Sequence, residues 1–271
     1  MSTIDKTALE HLEQRTLQAH AIEGTAIPAR LVPKDVVIKS LEHLMPHRAS
    51  YRGGFVTHLI HDFATYASEW PAGRCFVDQE HMSARIYFDL GTVETPGHGE
   101  HHGNIQLQRT APFVAFRNMA GDTHTQKALA EWLEDWAAYL VAFDSTGEVL
   151  NIGAAINAVR RITIAAKKES TTSQNDFSAA RSGFEEIEAR SEQLPAGFRF
   201  TCMPFHGLDT RSFELRMSVI TGDQPKLVLR DVRFEDVQEQ MAQEFADKLN
   251  VALKSAGAEA RVHIGTFSPS A

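Results

Sequence analysis

Three histidines and a glutamate fall within eight glycine-rich residues, Pro96-Gly97-His98-Gly99-Glu100-His101-His102-Gly103. Neutral imidazoles and a carboxylate are good ligands for zinc or iron, so this is the first place where chemistry could reside. His98, His101 and His102 have suitable spacing, and Glu100 or Asp89 could supply oxygen. The second ligand pair that structural zinc motifs place elsewhere is not identifiable, and no H-E-x-x-H helix occurs. Histidines on a glycine-rich loop are also ordinary solvated groups. We therefore read His98, Glu100, His101 and His102 as a binding loop, with no metal and no cofactor assigned.

Other chemical groups are weaker. His58 and His61 sit one turn apart beside Asp62, a half-site at most, and such residues more often pack or face water. Glu131, Glu134 and Asp135 share a helical stretch, where a solvated face outweighs acid–base work that would require desolvation. There is no G-x-S-x-G elbow, no G-x-x-x-x-G-K-[ST] loop and no G-x-G-x-x-G turn. Arg211, Arg216, Lys226, Arg230 and Arg233 fall on the terminal strands, and Arg160, Arg161, Lys167 and Lys168 cluster on a basic helix. A sheet face carrying arginines can hold a nucleic-acid backbone. The phenylalanines nearby look committed to a core, and Glu214 and Asp231 dilute the charge, so nucleic acid is a possible partner but not the favoured one.

The elements that must position these groups follow from periodicity. Residues 5–20 read as a polar helix with a thin apolar stripe. Ile27 to Val32 and Val36 to Ile38 read as extended, and Leu41 to Met45 as a short turn of structure. Arg52-Gly53-Gly54-Phe55 reads as a turn or bulge, and Thr57 to Ser68 as a helix. Cys75 to Val77 and the alternating Ala84 to Leu90 read as strands, joined across the histidine loop to Asn104 to Gln108. Gln126 to Leu140 presents Leu129, Trp132, Leu133, Trp136 and Leu140 on one helical face. Asn151 to Lys168 is a second such helix, and 169–176 a loop. Residues 177–190 form a hairpin about Ser182-Gly183 or a helix, the hairpin being favoured. Phe198 to Cys202, Phe213 to Val219 and Leu227 to Phe234 form a β-meander, turning at His206 to Asp209 and at Thr221-Gly222-Asp223. Glu235 to Ala256 is a long amphipathic helix with acids in its first turn and Gly257 beyond its end. Val262 and Ile264 begin a last strand. The fold class is α+β: antiparallel sheets, in an N-terminal hairpin region and a C-terminal meander, covered by amphipathic helices. We divide the chain into residues 1–45 (helix and extended segment), 46–150 (α+β region with the histidine loop) and 151–271 (C-terminal α+β region), the last two allowing one continuous domain.

The chain has 271 residues, 43% hydrophobic and 23% charged, with a formal net charge of −8. Such a chain is on average repelled by nucleic acid and by anionic membranes. No apolar run reaches transmembrane length, and Met1 to Gln18 lacks the pattern of a secretory signal. The two cysteines, Cys75 and Cys202, read as buried hydrophobes in a reducing compartment, and their number excludes a cysteine zinc site. The expected setting is the cytoplasm of a bacterial cell.

Several stretches taken in order resemble one family. These are Arg52-Gly53 with Phe55, Cys75-Phe76-Val77-Asp78 and Ala84-Arg85-Ile86-Tyr87-Phe88-Asp89-Leu90-Gly91. Pro96-Gly97-His98 with His101, Gln126 and Leu129-Ala130-Glu131-Trp132-Leu133-Glu134-Asp135 follow, then the phenylalanine-rich terminal strands with Arg230. From about residue 45 onward the chain resembles the YfdQ-like family of uncharacterised phage and prophage proteins. The resemblance implies a phage or prophage origin and an intracellular site of action, and brings no activity or catalytic residues. The expectation is a non-enzymatic binding or scaffolding protein made during infection, self-associating or bound to a host or phage protein. Its context would be phage DNA metabolism or interference with a host defence. The alternative is a metal-dependent hydrolase using the His98–His102 loop.

Overall fold

Local pairing begins with two short strands. β1 (His20–Ile22) and β2 (Ala29–Leu31) run antiparallel with Ala21 opposite Arg30, in a unit spanning Met1–Tyr51. The structure, a computed structural model, describes residues 6–7, 9–10, 20–22, 29–31, 42–162, 194–220 and 226–269. Lys6, Thr7, Leu9 and Glu10 are helical. Most of the helix expected over 5–20 lies outside the described residues, and His20 already belongs to β1. Val36 to Ile38, the loop 169–176, the segment 177–190, the turn Thr221-Gly222-Asp223, Lys167 and Lys168 also lie outside them. The turn expected at Leu41 to Met45 is a 3₁₀ turn at Glu42–Leu44.

The unit Arg52–Ala271 runs β3 (Gly53–Thr57), α1 (Ile60–Ser68), β4 (Gly73–Asp78), β5 (Ser83–Tyr87), β6 (His101–Gln106), α2 (Ala111–Met119), β7 (Thr123–Thr125), α3 (Gln126–Asp135), β8 (Leu140–Phe143), β9 (Val149–Leu150), α4 (Ile152–Arg160), β10 (Gly197–Cys202), β11 (Arg211–Ile220), β12 (Lys226–Asp231), α5 (Phe234–Ser255) and β13 (Ala260–Ile264). The α+β class with predominantly antiparallel sheets holds. A five-stranded sheet is ordered β13-β4-β5-β6-β3, and a six-stranded one β7-β12-β11-β10-β8-β9. The six-stranded sheet is antiparallel throughout. In the five-stranded sheet the two outer pairings, β13 with β4 and β3 with β6, are parallel. Strands from both sides of residue 150 share the six-stranded sheet, and β13 shares the other with β3 to β6.

Alternation decides which face of each sheet is buried. Phe198, Phe200, Phe213, Leu215, Met217, Leu227 and Leu229 point inward and are buried. Phe116 of α2 packs 4.6 Å from Phe213, and Trp132 of α3 packs 5.7 Å from Phe200, ring centre to ring centre. On the five-stranded sheet, Cys75, Val77, Ala84, Ile86 and Ile105 face α1 and α5, which contribute Phe63, Ala67, Met241, Phe245 and Leu249.

Four local features differ from the sequence reading or add to it. Arg52-Gly53-Gly54-Phe55 is not a turn: β3 begins there, as an edge strand along β6, and the helix after it starts only at Ile60. A Cβ on Gly54 would lie 2.8 Å from the His102 Nε2, so any larger residue there would have to displace the imidazole. The helix from Gln126 stops at Asp135, and Leu140 opens β8 instead of closing the helix. Helix α2 escaped the periodicity reading, although Thr110 accepts a hydrogen bond from the Phe113 N–H and Pro112 occupies its first turn, both start signals. Finally, the strand after α5 does not extend the meander's sheet. The 22 residues of α5 span about 33 Å and carry the chain to the five-stranded sheet, where β13 pairs with β4. The edge of β12 is already taken by β7.

Candidate functional site

Register places a set of cationic and aromatic side chains on the face of the five-stranded sheet opposite α1 and α5. Reading across the strands from β13 to β3, one row is Arg261, Arg74, Tyr87, His102 and Gly54. The next row on the same face is His263, Phe76, Arg85, Asn104 and Val56. Arg74, Arg85, Arg261 and His263 are exposed. The rings are organised: His263 stacks on Phe76 at 5.7 Å, and the Arg85 guanidinium lies 5.9 Å from the Tyr87 ring centre. The Arg85 Nε–H donates to Asn104 Oδ1 at 2.6 Å, and the Arg74 guanidinium donates to the Gly91 carbonyl at 3.3 Å. Asp78 lies on this face and hydrogen-bonds His81 at 2.9 Å, and Glu259 borders it beside Arg261 and Arg74.

The segment after β13 crosses this face. Phe267 stacks on Phe76 at 5.0 Å with 18° between the ring planes, and meets Tyr87 edge-on at 5.7 Å. The Tyr87 hydroxyl donates to the Phe267 carbonyl at 3.0 Å. Tyr87 is thereby only 2% exposed although it points away from the core. Phe76 and Phe267 form a wall shared by two clefts. One, of about 1070 Å³, runs along Arg74, Tyr87, Arg261 and His263; the other, of about 350 Å³, runs along Asp78, Arg85 and Asn104.

The histidine-rich stretch is resolved into two parts with different surroundings. His98 and Glu100 are exposed in the connection after β5. His101 and His102 are not loop residues: they open β6, so their side chains leave on opposite faces of the sheet. His101 is 2% exposed, hydrogen-bonded to the Tyr66 hydroxyl at 2.9 Å, and boxed by Trp70 at 4.0 Å and Phe88 at 4.7 Å. His102 faces the other way, towards Gly54 and Tyr87. Among the described residues, no group of three or more His, Cys, Asp or Glu side chains comes together as a metal site would require. His58 bonds the Gln106 carbonyl at 2.8 Å.

The glycines around these histidines serve backbone packing. The Gly97 N–H donates to the Leu90 carbonyl at 2.9 Å, and the Asp89 carboxylate accepts from the Glu100 and His101 N–H groups at 2.9 and 3.1 Å. A Cβ on Gly97 would lie 1.7 Å from the Asp89 carbonyl oxygen. Gly97→Ala is therefore expected to cost about 1–3 kcal/mol through overpacking against backbone that has no rotamer to yield, read as a lower urea midpoint. An unchanged midpoint would contradict this account.

A family model described as "Uncharacterized conserved protein (DUF2303)" matches residues 3–267. The chain belongs to this family. No curated protein and no solved structure matches it.

In this DUF2303 chain the arginines of the meander separate. Arg216, Lys226 and Arg230 point outward on the six-stranded sheet, with Arg216 opposite Arg230 and bonded to Glu214 at 3.2 Å. Arg199 on β10 shares that face, opposite Glu214. Arg211 turns to the other side, where its guanidinium holds Glu244 at 2.6 Å and the Gln240 carbonyl at 3.3 Å. Arg233 is exposed at the start of α5. Glu131, Glu134 and Asp135 stay on the solvent side of α3; Glu131 pairs with Lys127 at 3.6 Å.

Burial pushes the imidazoles of His101 and His102 below their ordinary value; the Arg85 charge adds to the effect at His102, while Asp89 opposes it at both. The unfolded chain then takes up protons at these sites at a higher pH than the folded one. More protons bound in the unfolded state means stability rises with pH and falls on acidification. The urea midpoint should drop as pH falls from about 7.5 through the ordinary histidine value near 6.5. The drop should be shallower in His101→Gln; an equal slope in wild type and variant would argue against this residue's part.

Sequence reasoning missed Arg74, Phe76, Tyr87, Asn104, Arg261 and His263 as a group. A signal existed: Arg74-x-Phe76, Arg85-x-Tyr87 and Arg261-x-His263 each put a basic residue and a ring on one face of a strand. What could not be read was that β13, nearly 200 residues away in the chain, pairs with β4.

Proposed function

We propose that this is a phage-encoded, non-enzymatic intracellular protein that binds single-stranded nucleic acid on the exposed face of the five-stranded sheet, in the service of phage DNA metabolism. The phage origin rests on the resemblance to the YfdQ-like family. The observation that carries the binding reading is the pair of rows Arg261–Arg74–Tyr87–His102 and His263–Phe76–Arg85–Asn104. Aromatic faces accept unstacked bases whatever their sequence, and guanidinium groups at strand spacing follow phosphates. Asn104 can in addition donate to or accept from a base edge. The net charge of −8 opposes long-range attraction, and a local cationic stripe overrides it at short range.

Nothing in the geometry favours the hydrolase reading, because His101 and His102 leave the strand on opposite faces. Among the described residues the outward arginines of the six-stranded sheet lack a comparable set of rings, which makes that face the weaker nucleic-acid candidate.

The test is fluorescence anisotropy with a labelled 20-nucleotide oligothymidine and a duplex of equal length. Binding of the single strand at 50 mM salt, weakening steeply towards 200 mM and exceeding duplex binding, is expected. Absence of binding at 50 mM rejects the reading.

A further inference from the structure

We infer that the shelf formed by the Phe76 and Tyr87 rings, which touch edge-on at 6.3 Å, is a nucleobase site held closed by the chain's own Phe267. This deepens, and rests on, the single-stranded nucleic acid reading. Phe267 offers what a base would offer: a flat ring, 5.0 Å from Phe76 and nearly parallel to it, with Tyr87 against its edge. The polar group beside it is also one a base or sugar could use, since the Tyr87 hydroxyl now donates to the Phe267 carbonyl. Arg85 donates to that hydroxyl at 3.3 Å and to Asn104, so donors and acceptors already converge beside the two rings.

The hold is light. Gly265 to Pro269 are all exposed, and Phe267 itself is 42% exposed. The Gly265 N–H donates to the Val77 carbonyl at 2.8 Å, anchoring the segment where it leaves β13. At its far end Pro269 lies against Gly99, close enough that a Cβ there would approach the proline Cγ to 2.6 Å. Between these points the Tyr87 hydroxyl and the ring stack hold it. A segment with so few partners opens locally at small cost. Release of Phe267 would uncover Phe76 and Tyr87 together and join the two clefts along the Arg261–Arg74 and Arg85–Asn104 sides. The strand of nucleic acid would replace an intramolecular ring by one of its own bases.

The experiment compares oligothymidine affinity of wild type, Phe267→Ala and Tyr87→Phe, the last keeping the ring while removing the tether. Hydrogen exchange over residues 265–269 is measured with and without the oligonucleotide. About 3–10-fold tighter binding in Phe267→Ala, a smaller gain in Tyr87→Phe, and faster exchange of the wild-type segment when the strand is bound are expected. If wild type binds and Phe267→Ala binds equally or more weakly, Phe267 is part of the platform and the inference falls alone. If wild type does not bind, the nucleic-acid reading falls and takes this inference with it.

Discussion

A protein carrying Arg74→Gln, Arg85→Gln and Arg261→Gln is expected to lose about a hundredfold in affinity for a single-stranded oligonucleotide at low salt. Three exposed, solvent-screened ion-pair contacts at about 1 kcal/mol each give roughly that factor. The more diagnostic change is in salt dependence. Each phosphate neutralised on a single strand contributes about 0.7 to the slope of log affinity against log salt, so losing three should flatten it by about 2. The three side chains are exposed, and Gln keeps most of their length and polarity, so the fold should survive with an unchanged circular-dichroism spectrum. The matched control is Arg216→Gln with Arg230→Gln on the six-stranded sheet, expected to leave the slope nearly unaltered. A reversed pattern would move the interface to that sheet.

Phe200→Ala should be among the most damaging single changes to stability, at about 3–5 kcal/mol. Phe200 is fully buried, with Phe116, Trp132, Tyr139 and Trp136 around it at centroid distances of 5.6, 5.7, 5.7 and 6.5 Å. These rings come from α2, α3 and the turn before β8, so truncation opens a void that no single element can close. Against a typical total stability of about 5–15 kcal/mol, the loss should appear as a large fall in the urea midpoint. On the outward side of β8, Val141→Ala should change stability by no more than about 0.5 kcal/mol, since Val141 is 39% exposed. A loss below about 1 kcal/mol for Phe200→Ala would show that the aromatic cluster repacks.

The terminal meander and α5 were legible because their information is local. Phe198, Phe200 and Cys202 alternate, as do Phe213, Leu215 and Met217, and the strands form where alternation predicts. Acids in the first turn of α5, Lys254 in its last and Gly257 after it bound the helix within a residue of its observed ends. β3 was illegible for the opposite reason. Its first two residues are glycines, whose intrinsic preference argues against a strand; the approach of His102 across the sheet accounts for Gly54, and Gly53 takes a φ of +155° that side chains rarely adopt.

The histidine stretch shows the same division. Composition marks 96–103 as unusual, and its glycines are indeed structurally demanding. Whether His101 and His102 are loop or strand depends on where pairing with β5 begins, and Asp89 sets that by binding the Glu100 and His101 N–H groups. One residue of register separates an imidazole in an aromatic box from one on the open face.

By itself the sequence determined the fold class, the meander, the long helix α5, the start of α3 and the burial of both cysteines, because these follow from patterns repeated over a few residues. Only the tertiary structure decided that β13 lies beside β4, that Arg261, Arg74 and Tyr87 form one row, and that Phe267 rests on Phe76. Those relations join residues from Arg74 to Phe267, and side chains so distant along the chain become neighbours only when strand order and register are set by the packing of the whole unit.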